Sequence, residues 1–162
     1  MSVSVQADDF DVGAEIAKLS RDDPDVGAVA SFVGLVRRGN DGGAEVTAMT
    51  LEHYPGMTER ALQDIVAEAG GRWQCDHVRV IHRFGMLRPG DRIVFVGVAS
   101  RHRGDAFAAC EFIMDFLKTR APFWKREETT AGARWVEARD SDDTAALRWD
   151  AAPHRAAEPP MG

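Results

Sequence analysis

Basic side chains gather in three places of a sequence that is acidic as a whole. The formal net charge is −6 at pH 7 over 162 residues. The three clusters are Arg37-Arg38, Arg101-His102-Arg103, and Lys118 with Arg120, Lys125 and Arg126. Taken singly, each cluster suits a solvated charged rim. Because all three fall at the ends of predicted elements in an acidic chain, together they favour a site that binds an anion such as a phosphate.

The second cluster lies where a predicted strand enters a predicted helix that begins near Arg103. The first backbone N–H groups of a helix have no partner within it, and the helix dipole is positive at that end. Arg101, His102 and Arg103 would therefore act together with the backbone in attracting a negatively charged ligand.

Lys118 and Lys125 carry the strongest potential for chemistry. Lys118 falls in the last turn of the predicted helix, where a cation also stabilises the helix end, and this alternative stays open. Lys125 follows in a strand-like stretch. If the two ammonium groups lie close together, repulsion and burial would lower the pKa of one of them. A neutral lysine acts as a base or nucleophile, while a charged one holds substrate or stabilises an oxyanion.

Helix geometry limits how these groups can act together. Arg103 and Lys118 are separated by about 15 residues, or roughly 22 Å of helix at 1.5 Å per residue. A small ligand is about half that long. Either the two ends belong to separate sites, or a second copy of the chain completes one pocket, and we favour a homodimer with a shared pocket.

Hydrophobic periodicity predicts four helices. The first begins at the N-cap Asp11 and ends near Ser20, and the second is ended by Gly70-Gly71. In the third, an apolar stripe is expected to face inward. The predicted ranges are 11–20, 58–69, 103–118 and 141–149, and the stripe comprises Phe107, Cys110, Ile113, Met114 and Leu117.

Strand signals alternate with these helices. The run 27–36 is expected to be buried on both faces or nearly so, and a loop spans 37–45. Further strands are predicted at 46–52, 77–82 and 93–99, with a hairpin formed by 123–129 and 134–137. We predict the α+β class with a mixed or antiparallel sheet, one domain over 1–149, and a disordered tail over 150–162.

The composition argues against several functions. An acidic chain has little general affinity for nucleic acid or anionic membranes, and no apolar run approaches the roughly 20 residues of a membrane span. The first ten residues lack the pattern of a signal peptide, so the cytoplasm is expected. Cys75 and Cys110 lack zinc-ligand spacing. Cys110 is expected in the core, although in a sulfur-transfer protein either thiol could carry a persulfide.

The same residues fall in segments that resemble the large, catalytic subunit of molybdopterin synthase, the MoaE family, from about Gly27 to Trp149. In this family the order and spacing of the segments are highly specific. They are Ser31–Arg37, Leu51–Met57, Ile81–Gly85, Ser100–Arg103, Ala106-Phe107, Asp115–Lys118, Ala121–Glu127 and Gly132–Glu137.

The resemblance implies a sulfurtransferase that converts cyclic pyranopterin monophosphate to molybdopterin by installing two dithiolene sulfurs. The sulfur would arrive as a C-terminal Gly-Gly thiocarboxylate on a small ubiquitin-like partner. The implied assembly is a dimer of large subunits with a small subunit at each end. The implied fold is an α/β hammerhead with an additional antiparallel β-sheet, and no metal or organic cofactor is implied.

The resemblance also implies roles for individual residues. Lys118 and Lys125 would be catalytic. The substrate-binding set would comprise Leu35, Val36, Arg37, His102, Arg103, Lys118, Lys125, Arg126 and Glu127. Leu35 replaces a basic residue that is common in the family, so it would contact the substrate only through its backbone. The loop that follows differs from the family pattern, which makes Arg38 a doubtful ligand.

Two other functions fit the basic residues. One is a non-catalytic module that binds a phosphorylated pterin or a nucleotide. The other is an adaptor for a ubiquitin-like protein that has no small-molecule chemistry. In the binding module, substitution of Lys118 or Lys125 would only weaken affinity, whereas the enzyme would lose turnover. An adaptor would yield no dithiolene from a thiocarboxylated partner and the cyclic pterin.

Overall fold

The computed structural model describes residues 1–39, 44–136 and 140–150, and within the last range the side chains from 143 onward. The helices are α1 (Val12–Lys18), α2 (Met57–Arg72), α3 (Arg103–Arg120) and α4 (Asp140–Leu147). The strands are β1 (Ser2–Gln6), β2 (Ala28–Leu35), β3 (Val46–His53), β4 (His77–Arg83), β5 (Gly85–Leu87), β6 (Arg92–Ser100), β7 (Phe123–Thr129) and β8 (Gly132–Val136).

The strands form two four-stranded sheets. The first has the order β1-β4-β6-β2, in which β1 runs parallel to β4 and the other pairs are antiparallel. The second has the order β5-β3-β7-β8 and is antiparallel throughout. The predicted α+β class with an additional antiparallel sheet is therefore confirmed.

The main core lies between the first sheet and the helices α2 and α3. Its buried members include Leu62, Ile65, Val80, Val96 and Ile113. On the other face of this sheet α1 covers a smaller cluster, and a third cluster joins the two sheets. The smaller cluster contains Phe10, Leu19, Ile81, Phe95 and Ala99, and the third contains Val36, Met49, Leu51 and Leu87.

The prediction that Phe107 faces inward is wrong, because its side chain is 66% exposed. The other four members of the predicted stripe are buried. Through Phe112 and Phe116, α3 also buries the flank that faces α2 and α4. The buried arc of the helix is therefore displaced away from Phe107.

The prediction that Gly70-Gly71 ends the second helix is also wrong, since α2 continues to Arg72 and is capped at Trp73. Neither glycine has a positive φ. A Cβ on Gly70 would come within 2.9 Å of the Met1 side chain. This glycine therefore allows the start of β1 to lie against α2, and it does not act as a helix stop.

Two strand expectations also need correction. β2 is an edge strand of the first sheet, so Ser31, Phe32 and Leu35 are exposed and the strand is not buried on both faces. The sequence patterns did not predict the short strands β1 and β5, which pair with β4 and β3. The remaining predicted helices and strands are found within a few residues of their expected ends.

Several expectations concern residues outside the described ranges. These are the middle of the 37–45 loop at 40–43, the end of the predicted hairpin at Glu137, and the tail from residue 151. Asp150 is described, and its N–H donates to the carbonyl of Leu147 at 3.1 Å. None of the described helices is long and apolar enough to cross a membrane.

The segment that follows the second sheet is fastened to the core through Trp149. Its indole Nε1 donates to an oxygen of Asp115 at 2.7 Å, and its carbonyl accepts from Arg72 at 2.7 Å. The ring meets Trp73 and Phe112 edge-on, at 5.3 and 5.6 Å between centroids. The carboxylate of Asp115 on α3 therefore has a structural role.

Replacing Trp149 tests this anchor. Trp149→Ala removes a large aromatic contact and leaves Asp115 without its indole donor, so the free energy of unfolding should fall by about 3 kcal/mol. Trp135→Ala is the matched control, because Trp135 is 59% exposed, and it should change the value by less than about 0.5 kcal/mol. Urea unfolding followed by circular dichroism measures both. Equal effects of the two substitutions would contradict the anchoring role.

Candidate active site

The site is built around the short connection between α3 and β7. The helix ends at Arg120 and the strand begins at Phe123, so only Ala121 and Pro122 separate them. The carbonyl of Pro122 accepts a hydrogen bond from the hydroxyl of Thr58 at 3.4 Å. That hydroxyl oxygen in turn accepts from the N–H of Tyr54 at 3.2 Å. The connection is therefore held against the start of α2.

Strand β7 gives Lys125 its direction. Lys125 lies opposite Leu51 of β3 and Val136 of β8. Because side chains alternate between the faces of a strand, Lys125 shares the inner face of the second sheet with Phe123 and Glu127. Its backbone is held by neighbours on both sides, which fixes the base of a long and flexible side chain.

A buried imidazole lies at the centre of this region. His82, near the end of β4, is 4% exposed. Its ring stacks on Phe123 with 3.7 Å between centroids and an interplanar angle of 18°. His53, at the end of β3, lies 4.5 Å from Phe84 and 6.3 Å from Phe123 between ring centroids. The ends of β3, β4 and β7 therefore meet in one cluster of rings.

The electrostatics show that both lysines act on this ring. Burial lowers the pKa of His82 to about 3. The hydrogen bond to the Arg83 carbonyl opposes this, while electrostatic interactions with Lys125, Lys118 and His53 lower the pKa further. His82 is therefore uncharged at neutral pH. The charges of Lys118 and Lys125 thus influence the same buried imidazole, although the two residues belong to different elements.

The predicted residues at the end of β2 approach the same sheet. Val36 is buried beside Leu51, the residue opposite Lys125. Its N–H donates to the carbonyl of Asp91 at 2.9 Å, and its carbonyl accepts from Gly90 at 2.8 Å. Leu35 and Arg37, on either side of Val36, are exposed. The buried valine thus fixes the backbone from which Arg37 extends.

His102 and Arg103 lie at the opposite end of α3 from Lys118. Arg103 is the first helical residue, and His102 is the N-cap residue with extended backbone and no side-chain capping bond. Both are exposed. The uninterrupted helix keeps them about 22 Å from Lys118 along its axis. Within one chain these residues do not form a single small-molecule pocket with the lysines.

Arg126 and Glu127 point to opposite faces of β7. Arg126 is exposed on the outer face and forms an ion pair with Glu128 at 3.4 Å. Glu127, on the inner face with Lys125, accepts from Arg134 of β8 at 3.0 Å. Within one chain, only Glu127 of this pair shares the face that carries Lys125.

Neither thiol has the character of an activated sulfur carrier. Burial raises the pKa of Cys75 to about 11, and nearby Asp105 and Asp76 add to the effect. Burial likewise raises the pKa of Cys110, whose side chain is in the core as expected, to about 11. A persulfide carrier requires an accessible thiolate, so the structure gives the persulfide hypothesis no support.

Sequence reasoning did not identify four rings of the site, which are His53, His82, Phe84 and Phe123. His82 and Phe84 were noted only as part of the segment Ile81–Gly85 that carries the family resemblance. A histidine that directly follows the apolar pair Val80-Ile81 in a strand is an available signal. The burial that makes it distinctive depends on how Phe123 folds back onto β4.

Among the described residues, no group of three or more His, Cys, Asp and Glu side chains is arranged to hold a metal ion. The features of the candidate site are therefore two lysines and a neutral histidine, carried by an α+β fold with two sheets. Groups of this kind can attract an anion and exchange protons with it.

The chain belongs to the MoaE family, whose model matches residues 5–120. It is 61% identical over 148 residues to the molybdopterin synthase catalytic subunit of Ralstonia nicotianae, covering 91% of this chain and 84% of that protein. It is 62% identical over 140 residues to the protein of the same name from Escherichia coli K12, covering 86% of this chain and 92% of that one.

Solved structures show the same fold. The MoaE protein of Burkholderia ambifaria superimposes with a TM-score of 0.79 at 54% identity, covering 93% of this chain and 99% of that one. Molybdopterin synthase from Staphylococcus aureus gives a TM-score of 0.77 at 28% identity, covering 83% and 96%. A complex of subunits 1 and 2 of molybdopterin-converting factor from Helicobacter pylori, at 17% identity and a TM-score of 0.67, shares the fold.

The buried His82 predicts an acid-sensitive stability. Its folded-state pKa of about 3 lies below the unfolded value of about 6.5, so in acid the unfolded chain binds a proton that the folded chain excludes. The contribution of the neutral His82 ring to the free energy of unfolding is therefore complete above about pH 6.5 and is lost as the pH falls from there toward 3. Between pH 8 and pH 5 this loss should be about 2 kcal/mol of unfolding free energy.

Urea unfolding at the two pH values measures this loss. His82→Phe should reduce the difference between pH 8 and pH 5 by that amount, while His102→Gln, at an exposed position, should leave the difference close to that of the wild type. An unchanged difference in the His82 variant would contradict the assignment of a neutral, buried ring.

Proposed function

We propose that this chain is the catalytic subunit of a molybdopterin synthase, the function in molybdenum cofactor biosynthesis that its family and its relatives indicate. The observation that carries the chemical part of the proposal is that Lys118 and Lys125 both act on the ring of His82. Two ammonium groups whose charges reach one neutral ring can receive an anion and stabilise the charge that develops during its reaction.

The proposed reaction is a sulfur transfer to cyclic pyranopterin monophosphate. The sulfur of a thiocarboxylate attacks a substrate carbon that bears oxygen. A carbon–sulfur bond forms while a carbon–oxygen bond of that carbon breaks, and the displaced oxygen leaves as water or stays with the phosphate. Water then cleaves the acyl–sulfur bond, which leaves a carboxylate on the donor and a thiol on the substrate. Two such transfers supply both dithiolene sulfurs and need no oxidant or reductant.

The residues of the site suit these steps. Arg37, exposed beside the buried Val36, would bind the phosphate with charge-assisted hydrogen bonds. Of Lys118 and Lys125, one would transfer protons while the other stabilises the developing negative charge. The proposed sulfur donor is the C-terminal Gly-Gly thiocarboxylate of a small ubiquitin-like subunit. The complex of two subunits known for the Helicobacter pylori protein supports the existence of a partner subunit.

We further propose that two copies of the chain share each pocket. His102 and Arg103 would bind the substrate from one copy, while Lys118 and Lys125 act from the other. The support is geometric, because an uninterrupted α3 separates these groups within one chain by about 22 Å. Arg126, which lies on the outer face of β7, would contact substrate or partner only through such an assembly.

The lysines test the catalytic proposal. Lys118→Ala and Lys125→Ala should each reduce dithiolene formation by about 10²- to 10⁴-fold, because each removes a group that acts on the reacting atoms. Lys18→Ala is the control, since Lys18 bonds to Glu15 on α1 and should leave the rate unchanged. The product is measured with the thiocarboxylated partner and the cyclic pterin. Near-normal turnover with weaker substrate binding would instead indicate a binding module.

Mixing two inactive variants tests the shared pocket. Lys118→Ala and Arg103→Ala homodimers should both be inactive, whereas hybrid dimers contain one pocket with neither substitution. With random exchange in an equal mixture, about half of the dimers are hybrids, and each hybrid has one intact pocket of two. Roughly a quarter of all pockets, and hence of the wild-type activity, should therefore be recovered. Subunit exchange is confirmed by native mass spectrometry. Complete exchange without recovery of activity would contradict the shared pocket.

A further inference from the structure

We infer that His82 is a positioning residue for the proposed sulfur transfer, and that it offers Lys118 and Lys125 a neutral hydrogen-bond acceptor at the base of the site. This inference rests on the proposed function. It adds to it a role for a residue outside the set that the family resemblance implies. The ring lies where β4, β7 and α3 meet, and its environment determines which of its nitrogens carries the hydrogen.

The hydrogen bond to the backbone fixes the tautomer. Nδ1 of His82 lies 2.8 Å from the carbonyl oxygen of Arg83. A carbonyl oxygen can only accept, so Nδ1 must carry the hydrogen. In the neutral ring Nε2 is then left with a lone pair, which makes it an acceptor for a donor such as an ammonium group.

Packing fixes the position of the ring as well as its tautomer. Phe123 covers one face of the imidazole at 3.7 Å between centroids. Within the first sheet, the backbone of His82 is paired with Val5 of β1 on one side and Val94 of β6 on the other. With 4% of its surface exposed, His82 has little freedom to move. Its acceptor therefore holds a constant place relative to the ends of α3 and β7.

The charged groups around the ring explain why a neutral residue is needed. Lys118 from α3, Lys125 from β7 and His53 from β3 each act on His82 in the direction that opposes its protonation. Arg83, the next residue on β4, turns its guanidinium away to the carbonyls of Ala7 and Arg92. A third fixed positive charge at this place would repel both lysines, whereas a neutral acceptor can orient one of them.

Three substitutions distinguish a role of His82 as a hydrogen-bond acceptor from a role in packing alone. His82→Phe retains a ring to stack on Phe123 but has no acceptor. His82→Gln extends an amide oxygen toward the place of Nε2. His82→Asn provides a donor to the Arg83 carbonyl without reaching the position of Nε2. His77→Gln, at the far end of the same strand and paired with Asp23, is the control that should leave the rate unchanged.

The expected readout is a loss of rate with substrate affinity retained. In single-turnover reactions with the thiocarboxylated partner, His82→Phe and His82→Asn should slow dithiolene formation by about 10- to 100-fold, as expected for loss of a hydrogen bond to a charged group. The substrate concentration for half-maximal rate should change by less than about threefold. His82→Gln should recover most of the rate. A normal rate in the Phe variant, or equal losses in the Phe and Gln variants, would overturn the proposal.

Nitrogen NMR of the wild-type ring provides a test that does not depend on the folding of any variant. Between pH 5 and pH 8 the spectrum should show a hydrogen on Nδ1, none on Nε2, and no titration of His82. A hydrogen on Nε2, or titration within this range, would overturn the proposal. Absence of dithiolene product with the wild-type chain would instead overturn the proposed function, so the two failures are distinguishable.

Discussion

The stacking of Phe123 on His82 is the contact on which the rest of the site depends. It joins the first residue of β7 to the end of β4, so it connects the second sheet to the first at the point where α3 ends. Aromatic pairs contribute about 0.5–1.5 kcal/mol beyond the burial of their area. The larger consequence is geometric, because the direction in which β7 leaves the connection sets where Lys125 lies relative to Lys118.

Burial explains how positive charges can be gathered here in an acidic protein. A charged histidine in the same region would repel the two ammonium groups. Removal of His82 from water makes its charged form unfavourable, and the lysines strengthen that preference. The ring therefore contributes shape and a lone pair without contributing charge. A consequence is lower stability in acid, because His82 binds a proton in the unfolded chain and stays neutral in the folded chain.

The sequence was sufficient to predict the elements whose signals are local. Asp11 was predicted to cap α1, and its carboxylate accepts from the N–H of Ala14 at 2.9 Å. The α+β class and the separation of Arg103 from Lys118 along one helix also followed from periodicity. Phe107 and Gly70 were misjudged because their surroundings come from distant elements, namely the packing of α2 and α4 on one flank of α3 and the approach of Met1 to α2.

In the candidate site, too, some features follow from local sequence and others depend on the packing of distant elements. Residue type and resemblance identified Lys118 and Lys125 as candidates, whereas the cluster of rings became visible only when β3, β4 and β7 were brought together. An alternating strand also separates Arg126 from Lys125, although the two are adjacent in sequence. Short-range patterns thus identify candidate groups, and long-range packing decides which of them share a face.

The central claim is that this site transfers sulfur from a thiocarboxylated partner to a phosphorylated pterin. The most direct measurement is the mass of the pterin product after a reaction in which the donor thiocarboxylate carries ³⁴S. We predict a product that contains two sulfur atoms, both of them ³⁴S. A pterin of unchanged mass, or a product whose sulfur is unlabelled, would contradict the account.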